Sequence, residues 1–296
     1  MNRKEVVAAA GGGERLEELP AAGGGGGGEL DAALALRRLY REVTLALRTG
    51  LRDAKADFSF LRARGLRSLL GFLRSTASSS NDSQLLLFRH SQSIPDLQVI
   101  PVLFQNSLHQ PKEDPVVTLD HVFGIEPMKI TSPPTDSEIS LALRVFEGCC
   151  LLYNRCTALA HKYKAVKVIL NILANRGPAE QGICLDVLIS LMLDSPSNQM
   201  DFDEYNGLEK VAELLKDVQV EEHIRLKCGE FLLLLIGHVY VKENSPILEQ
   251  MRNLFGEQCA SLIWAASRFG STLDAEQRQM ALQIQARRVV ESLEPY

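Results

Sequence analysis

The chain repeats itself at a near-constant interval, and this limits its possible folds more than any other feature. AVKVILNIL, starting at Ala165, returns as GLEKVAELL at Gly207, an offset of 42 residues. Val166 falls on Leu208, Ile169 on Val211, Ile172 on Leu214 and Leu173 on Leu215. The preceding stretch keeps the same offset, with VFEGCCLL at Val145 over VLISLMLD at Val187. CGEFLLLLIG at Cys228 follows CLDVLISLML at Cys184 after 44 residues. Near the start, GLRSLLGFL at Gly65 echoes GLEKVAELL again.

A period of this length lies in the ~40–47 residue range of armadillo and HEAT units. Each such unit is a pair or triplet of short helices that cannot bury its apolar side alone. Stacked neighbours bury it in one continuous core. CGEFLLLLIG is nearly apolar all round, as suits a helix held between two others. Hydrophobic residues make up 46% of the chain and aromatics only 6%, so Leu, Ala and Val carry the core and favour helix over strand. The expected fold is all-α, an armadillo/HEAT-like α-solenoid. A plain bundle with chance periodicity is the alternative.

Four regions follow. Residues 1–28 end in six glycines and read as a disordered Gly-rich tail. That run contains GxGxxG, but no strand precedes it and no Lys-Ser/Thr follows, so it is no phosphate loop. Residues 29–74 are N-terminal helices forming a first repeat, with Leu36, Leu39, Tyr40, Val43 and Leu47 in helical spacing and Gly50 and Gly65 as breaks. Residues 75–136 are a Pro/Ser-rich irregular insertion, with Pro95, Pro101, Pro111, Pro115, Pro127, Pro133 and Pro134 forbidding long helices. LQVIPVLF and VVTLDHVF are too apolar for a linker and are expected as extended segments along the helical body. The rest of the insertion is expected to be disordered.

Residues 137–293 are the armadillo-like repeats. Ile139, Ala142, Leu143, Phe146, Cys149, Cys150 and Tyr153 mark the first buried face, with Asp136 or Ser137 as N-cap. The glycine opening each second helix is expected to supply a left-handed turn. Further helices are expected at 246–255, 258–269 and about 274–293.

Charge is unevenly spread. Residues 37–74 hold ten Lys/Arg against three Asp/Glu; the net charge of −5 then leaves −12 elsewhere. An acidic remainder speaks against nucleic-acid binding. The basic stretch reads as solvated helix faces, or as a contact for an acidic partner or a membrane surface. Cys149, Cys150, Cys156, Cys184, Cys228 and Cys259 form no CxxC pair and mostly sit at apolar positions, as reduced intracellular thiols do. The N-terminus shows no secretory pattern, and no apolar run approaches the ~20 residues of a membrane span. An intracellular, soluble protein is expected, in the cytoplasm or else the nucleus.

Little resembles catalytic chemistry. Cys149 and Arg155, in CCLLYNR, have the spacing of Cys-dependent phosphatases, but the segment ends an amphipathic helix and lacks the Gly-rich loop. Backbone N–H groups inside a helix are already bonded and cannot cradle phosphate. Cys156 with His161, and His223 with Cys228, are five residues apart and match no zinc signature. Asp201 and Asp203 read as turn or capping residues. No enzyme, cofactor or metal site is expected.

The carrying residues ALRVFEGCCLLYNRCTALAHKYKAVKVILNIL, EQGICLDVLISLMLDSPSNQMDFDEYNGLEKVAELL and IRLKCGEFLLLLIGH, within residues 141–238, resemble the cell division control protein 14 family, a septation-initiation-network component. QSIPDLQVIPVLFQNSL at Gln92 is closest to the plant branch. The resemblance is not to the similarly named phosphatase. It implies an armadillo-like fold and a non-catalytic role. Fungal members bind a germinal-centre-type protein kinase and support its activity in cytokinesis, which implies a kinase partner in cell-division signalling.

A solenoid binds along a groove lined by the same helix of each repeat. The equivalent charged positions are Arg144, Asp186 and Glu230, with Glu147 and Lys227 beside them. All five are expected to face a partner. The other reading is that they are solvated, or that Arg144 and Asp186 merely pair between repeats. Three rival functions stand beside a kinase-binding scaffold: an adaptor for peptides or cytoskeletal partners, a Cys-dependent phosphatase, and a solenoid whose Pro-rich insertion occupies its own groove.

Overall fold

The structure, a computed structural model, describes residues 26–79, 82–109, 132–240, 246–268 and 274–293. Contacts divide the chain into two units, 1–38 and 39–296. The described part of the first unit is the start of α1 (Gly26–Ala54), where Leu30, Leu34 and Leu36 are exposed. Most of the tail expected to be disordered, residues 1–25, lies outside the described residues. Among the described residues there are thirteen α-helices and no strand, so the chain is all-α.

In the second unit, α1 buries Val43, Leu47, Leu51 and Ala54 at spacings of four, four and three, one face of a helix. A short connection turns the chain into α2 (Ser59–Ser78), which packs back on α1. Gly50 and Gly65 are not the breaks expected from sequence; both lie inside helices, where the two backbones cross. A Cβ on Gly65 would stand 2.5 Å from the Gly50 carbonyl oxygen and from Ala54 N. Backbone cannot give way as a flexible side chain can. Gly65→Ala is expected to destabilise by about 1–3 kcal/mol, although alanine is the better helix former. Gly71→Ala, where a Cβ meets nothing within 4 Å, should stabilise by up to ~1 kcal/mol. Urea midpoints of the two variants check this; a rise in both would mean the helices do not cross tightly.

The Pro/Ser-rich insertion departs from expectation. Residues 82–105 form α3 (Asp82–Ser91), a 3₁₀ turn (Pro95–Leu97) and α4 (Val99–Gln105), so LQVIPVLF is helical and not the extended segment expected. Pro95 opens the 3₁₀ turn and Pro101 lies in the first turn of α4, positions whose N–H groups have no partner within the helix. Gln92 holds the junction: its side chain donates to Leu97 O at 3.1 Å and accepts from Val99 N at 3.0 Å. Val99, Ile100, Val102, Leu103 and Phe104 are buried. VVTLDHVF lies outside the described residues.

The main body runs through α5 (Asp136–Leu152), α6 (Arg155–Lys162), α7 (Ala165–Asn175), α8 (Pro178–Met192), α9 (Pro196–Glu204), α10 (Gly207–Lys216) and α11 (Glu222–Leu234). A π turn (Leu235–Val239), α12 (Pro246–Ser267, kinked at Gly256) and α13 (Ala275–Glu291) complete it. Thr135 caps α5, accepting from Glu138 N, one residue before the expected cap. Asp274 and Gln277 form a capping box at α13.

The helices stack in columns. α2 packs on α5, α5 on α8, α8 on α11 and α11 on α13; α7, α10 and α12 form a second series, and α6 packs on α9. α8 buries Cys184, Leu185, Val187, Leu188, Leu191 and Met192, a width of burial that follows from having a helix on either side. GLRSLLGFL, which echoes α10 in sequence, lies on α2 and so stands in the column of α5, α8 and α11. Side chains join equivalent positions directly. Ser140 donates to Glu180 at 2.5 Å, Arg176 to Asp136 at 2.6 Å and Asn198 to the Thr157 carbonyl at 3.0 Å, each 40 or 41 residues apart. These spacings lie just under the offsets of 42 and 44 residues read from the sequence.

α7 and α10 are entered the same way, through Lys164 and Asn206, both left-handed at φ 53°. At α10 the left-handed residue precedes Gly207, contrary to expectation, and α7 opens on Ala165. Gly207 is small for another reason: a Cβ there would run into the Phe202 ring.

A buried ion pair fixes the N-terminal helices to the rest. Arg62 Nε donates to Glu138 Oε1 at 2.7 Å and Arg62 Nη2 to Oε2 at 3.1 Å. Glu138 is 0% exposed and Arg62 5%. The remaining guanidinium hydrogens reach Asp57 O and Ser132 O, both at 2.8 Å, and Ala56 O at 3.2 Å, and Ser59 donates to Glu138 Oε2. The α1–α2 turn, the chain entering α5 and the first turn of α5 therefore share one network.

Candidate functional site

The five charged residues singled out in the sequence come together in one line. Arg144 lies on α5, Asp186 on α8 and Lys227 on α11, three helices of one column. Arg144 Nη1 stands 3.0 Å from Glu147 Oε2 and 3.2 Å from Asp186 Oδ2. Lys227 Nζ stands 2.8 Å from Asp186 Oδ1 and 3.2 Å from Glu230 Oε2. The order is Glu147, Arg144, Asp186, Lys227, Glu230, with alternating sign. The pairing of Arg144 with Asp186 between layers is present, as one of the sequence readings had it.

The electrostatics are those of a half-solvated face. The Arg144 side chain is 40% exposed and that of Glu230 11%. Burial alone pulls the Arg144 pKa down, but the hydrogen bond and charge of Glu147 with the charge of Asp186 outweigh it, and the pKa rises. At Lys227 burial again pulls down, and Asp186 with Glu230 raises the pKa overall. Both cations stay charged. Glu230, 9% exposed, is the buried end of the ladder, whereas the pairs of Arg144 with Glu147 and Asp186 are open enough to water to contribute only ~0–1 kcal/mol each. A partner can therefore exchange them at small cost to the fold.

The ladder runs into a cleft of about 640 Å³ between α11 and α13. Lys227 and Glu230 line it together with Leu226, Met280, Ile284 and Arg287. Met280 and Ile284 are exposed large apolar residues. Sequence reasoning missed this cleft. The available signal was Met280 and Ile284, four apart on one face of the last helix, away from buried Ala286, Val289 and Val290.

The other candidates have core or structural surroundings. Cys149 is 0% exposed inside α5, and burial first, then Cys156 and Cys150, push its thiol well above the usual range. A nucleophilic cysteine needs the opposite shift. Burial likewise raises Cys156 and Cys228 to about 12. All six thiols are free and buried. The native protein is expected to resist a thiol reagent at neutral pH and to react at all six positions once unfolded; a fast native reaction would show an accessible thiolate.

His161 Nδ1 lies 2.7 Å from Asp201 Oδ2, and His223 Nδ1 3.1 Å from Glu221. Among the described residues no group of three or more His, Cys, Asp or Glu is placed to hold a metal ion. Asp203 accepts from the Tyr240 hydroxyl at 3.0 Å, another bond between layers. No helix among the described residues is long and apolar enough to cross a membrane.

Residues 116–288 match the family described as cell division control protein 14, SIN component. This is more than half of the chain. The chain belongs to that family. The family region contains the whole ladder and most of the cleft, ending within α13. No curated protein matches the chain by sequence. Among solved structures, an engineered protein from the Northeast Structural Genomics Consortium has a TM-score of 0.46 and 12% identity, covering 84% of this chain and 98% of its own. A likeness that loose carries no argument.

Proposed function

We propose that this member of the family is a non-catalytic scaffold or regulatory subunit in cell-division signalling, built as an armadillo-like solenoid, with a germinal-centre-type protein kinase as its partner. The observation that carries the reading is the charged ladder on α5, α8 and α11, continuous with the α11–α13 cleft. Repeated helices place similar positions in line, and a line of charge beside exposed Met and Ile suits an extended protein ligand. Support for the solenoid comes from layer-to-layer bonds that recur 40–42 residues apart. The compartment proposed is the cytoplasm.

The test is a polarity swap: Glu147→Lys, Arg144→Glu, Asp186→Lys, Lys227→Glu and Glu230→Lys together. Every internal pair survives with its sign reversed, and because Glu230 is buried the swapped chain is first matched to the wild type in circular dichroism and unfolding midpoint. Tagged wild-type and swapped chains are then purified from dividing cells and their partners identified by mass spectrometry. A germinal-centre-type kinase that co-purifies with the wild type and is lost on the swap is the expected result. A kinase held equally by both would confine the ladder to a structural role. A reproducible partner set without a kinase would replace the reading with a general adaptor.

A further inference from the structure

The basic stretch noted in the sequence is not absorbed by the ladder, and the structure organises it. Arg41, Leu45, Arg48 and Arg52 on α1, and Lys55 just after its end, recur at spacings of four, three, four and three, and all are exposed. They lie opposite the buried Val43, Leu47, Leu51 and Ala54. On α2 the same pattern returns as Phe60, Arg64, Arg67, Gly71 and Arg74, again all exposed. The two rows meet at Asp53, whose carboxylate accepts from Arg64 Nε at 2.8 Å and Arg52 Nε at 3.2 Å.

Most of this charge is left open. Among the described residues the side chains of Arg41, Arg48, Lys55, Arg67 and Arg74 have no carboxylate partner. Between residues 39 and 78 the carboxylates are Glu42, Asp53 and Asp57 alone. Apolar side chains stand within the rows. Leu45, between Arg41 and Arg48, is 67% exposed, and Phe60, one turn before Arg64, is 69% exposed. Phe58 stacks on Phe60 with ring centroids 6.0 Å apart.

We infer that the paired faces of α1 and α2 form a peripheral docking surface for an anionic lipid bilayer. Cations in two rows, the α1 row alone about 20 Å long at 1.5 Å per residue, can meet several headgroups at once. Guanidinium groups bind phosphate oxygens through two parallel hydrogen bonds. Leu45, Phe58 and Phe60 decide between a lipid surface and an acidic polypeptide. An interfacial helix carries Lys/Arg together with Leu and Phe that enter the acyl boundary, whereas a purely acidic ligand leaves those side chains in water. Attachment is of the surface kind, since no described helix can span a bilayer.

The experiment is sedimentation of the full-length chain with phosphatidylcholine vesicles, with and without phosphatidylserine. Association only with the phosphatidylserine vesicles, weakening as salt rises, is expected. Each arginine removed should lower partitioning about fivefold. Arg41→Gln, Arg48→Gln, Arg67→Gln and Arg74→Gln together should therefore lower it several hundredfold. Those side chains are exposed and unpaired, so an unchanged circular dichroism spectrum is expected for that variant. Leu45→Ser with Phe60→Ser should remove the part of binding that survives high salt. Equal association with both vesicle types, no association with either, or an unaffected four-arginine variant would overturn the inference. Retention on immobilised poly-L-glutamate without vesicle binding would instead assign the face to acidic proteins.

Discussion

Glu138→Ala is expected to cost about 3–5 kcal/mol of folding stability. The reason is what it leaves behind. Arg62 is 5% exposed, and its guanidinium loses its best acceptor. The carbonyls of Asp57 and Ser132 still accept from it, but they carry no countercharge. Removing both partners is a different matter. Arg62→Met with Glu138→Leu deletes the charges together, and replacing a buried pair by packed apolar groups is often neutral or better. The double variant should recover much of the loss, and the recovery measures the coupling. Urea unfolding of the two single variants and the double variant gives it. A loss below ~1 kcal/mol for Glu138→Ala would mean that water reaches the pair. Loss of the network should also loosen the α1–α2 hairpin first, because Ser59, Arg62 and the α1–α2 turn are what it holds.

Phe146→Ala ranks beside it, with an expected loss of about 3–5 kcal/mol. Phe146 is 0% exposed in α5. The edge of one ring meets the face of the other where Phe104 of α4 approaches, centroids 5.2 Å apart at 89°. Phe104 also stacks on Tyr163, after α6, at 5.8 Å. Truncation leaves a ring-sized void bounded by rigid helices, which cannot collapse to fill it. It also removes an aromatic contact of α4, whose seven residues cannot persist as an isolated helix. Hydrogen exchange should therefore rise in α4 before it rises in α8. Phe146→Leu, which keeps most of the volume, should lose far less. Equal exchange in α4 and α8 would show that α4 does not depend on this contact.

These substitutions also separate fold from proposed function. Glu138 and Phe146 lie in the core between layers, whereas the ladder of Arg144, Asp186 and Lys227 sits at its edge, one helical turn or less from buried neighbours such as Val145, Val187 and Cys228. A ladder variant that loses its partner while keeping its unfolding midpoint identifies a binding residue. One that loses both identifies a packing defect.

The sequence by itself determined the helical class, the period and the buried faces of α5, α7 and α10. Those properties are local or periodic: apolar residues three and four apart must share a helix face, and copies 42–44 residues apart must meet equivalent neighbours. The same logic aligned Arg144 with Asp186, because a residue at a repeated position faces its counterpart in the next layer. Only the tertiary structure decided the rest. Gly50 and Gly65 look like helix breaks until α2 is seen to cross α1 at that point, since a glycine's role depends on what approaches it. LQVIPVLF looks like an extended segment until Pro95 and Pro101 are seen to fall in first turns of short helices, a matter of register. The echo of α10 in α2 misleads, because two amphipathic helices share a pattern whichever column they enter. Arg62 and Glu138 are 76 residues apart and look like ordinary surface charges in sequence. Their burial follows from bringing two distant chain segments together, and no local pattern encodes that.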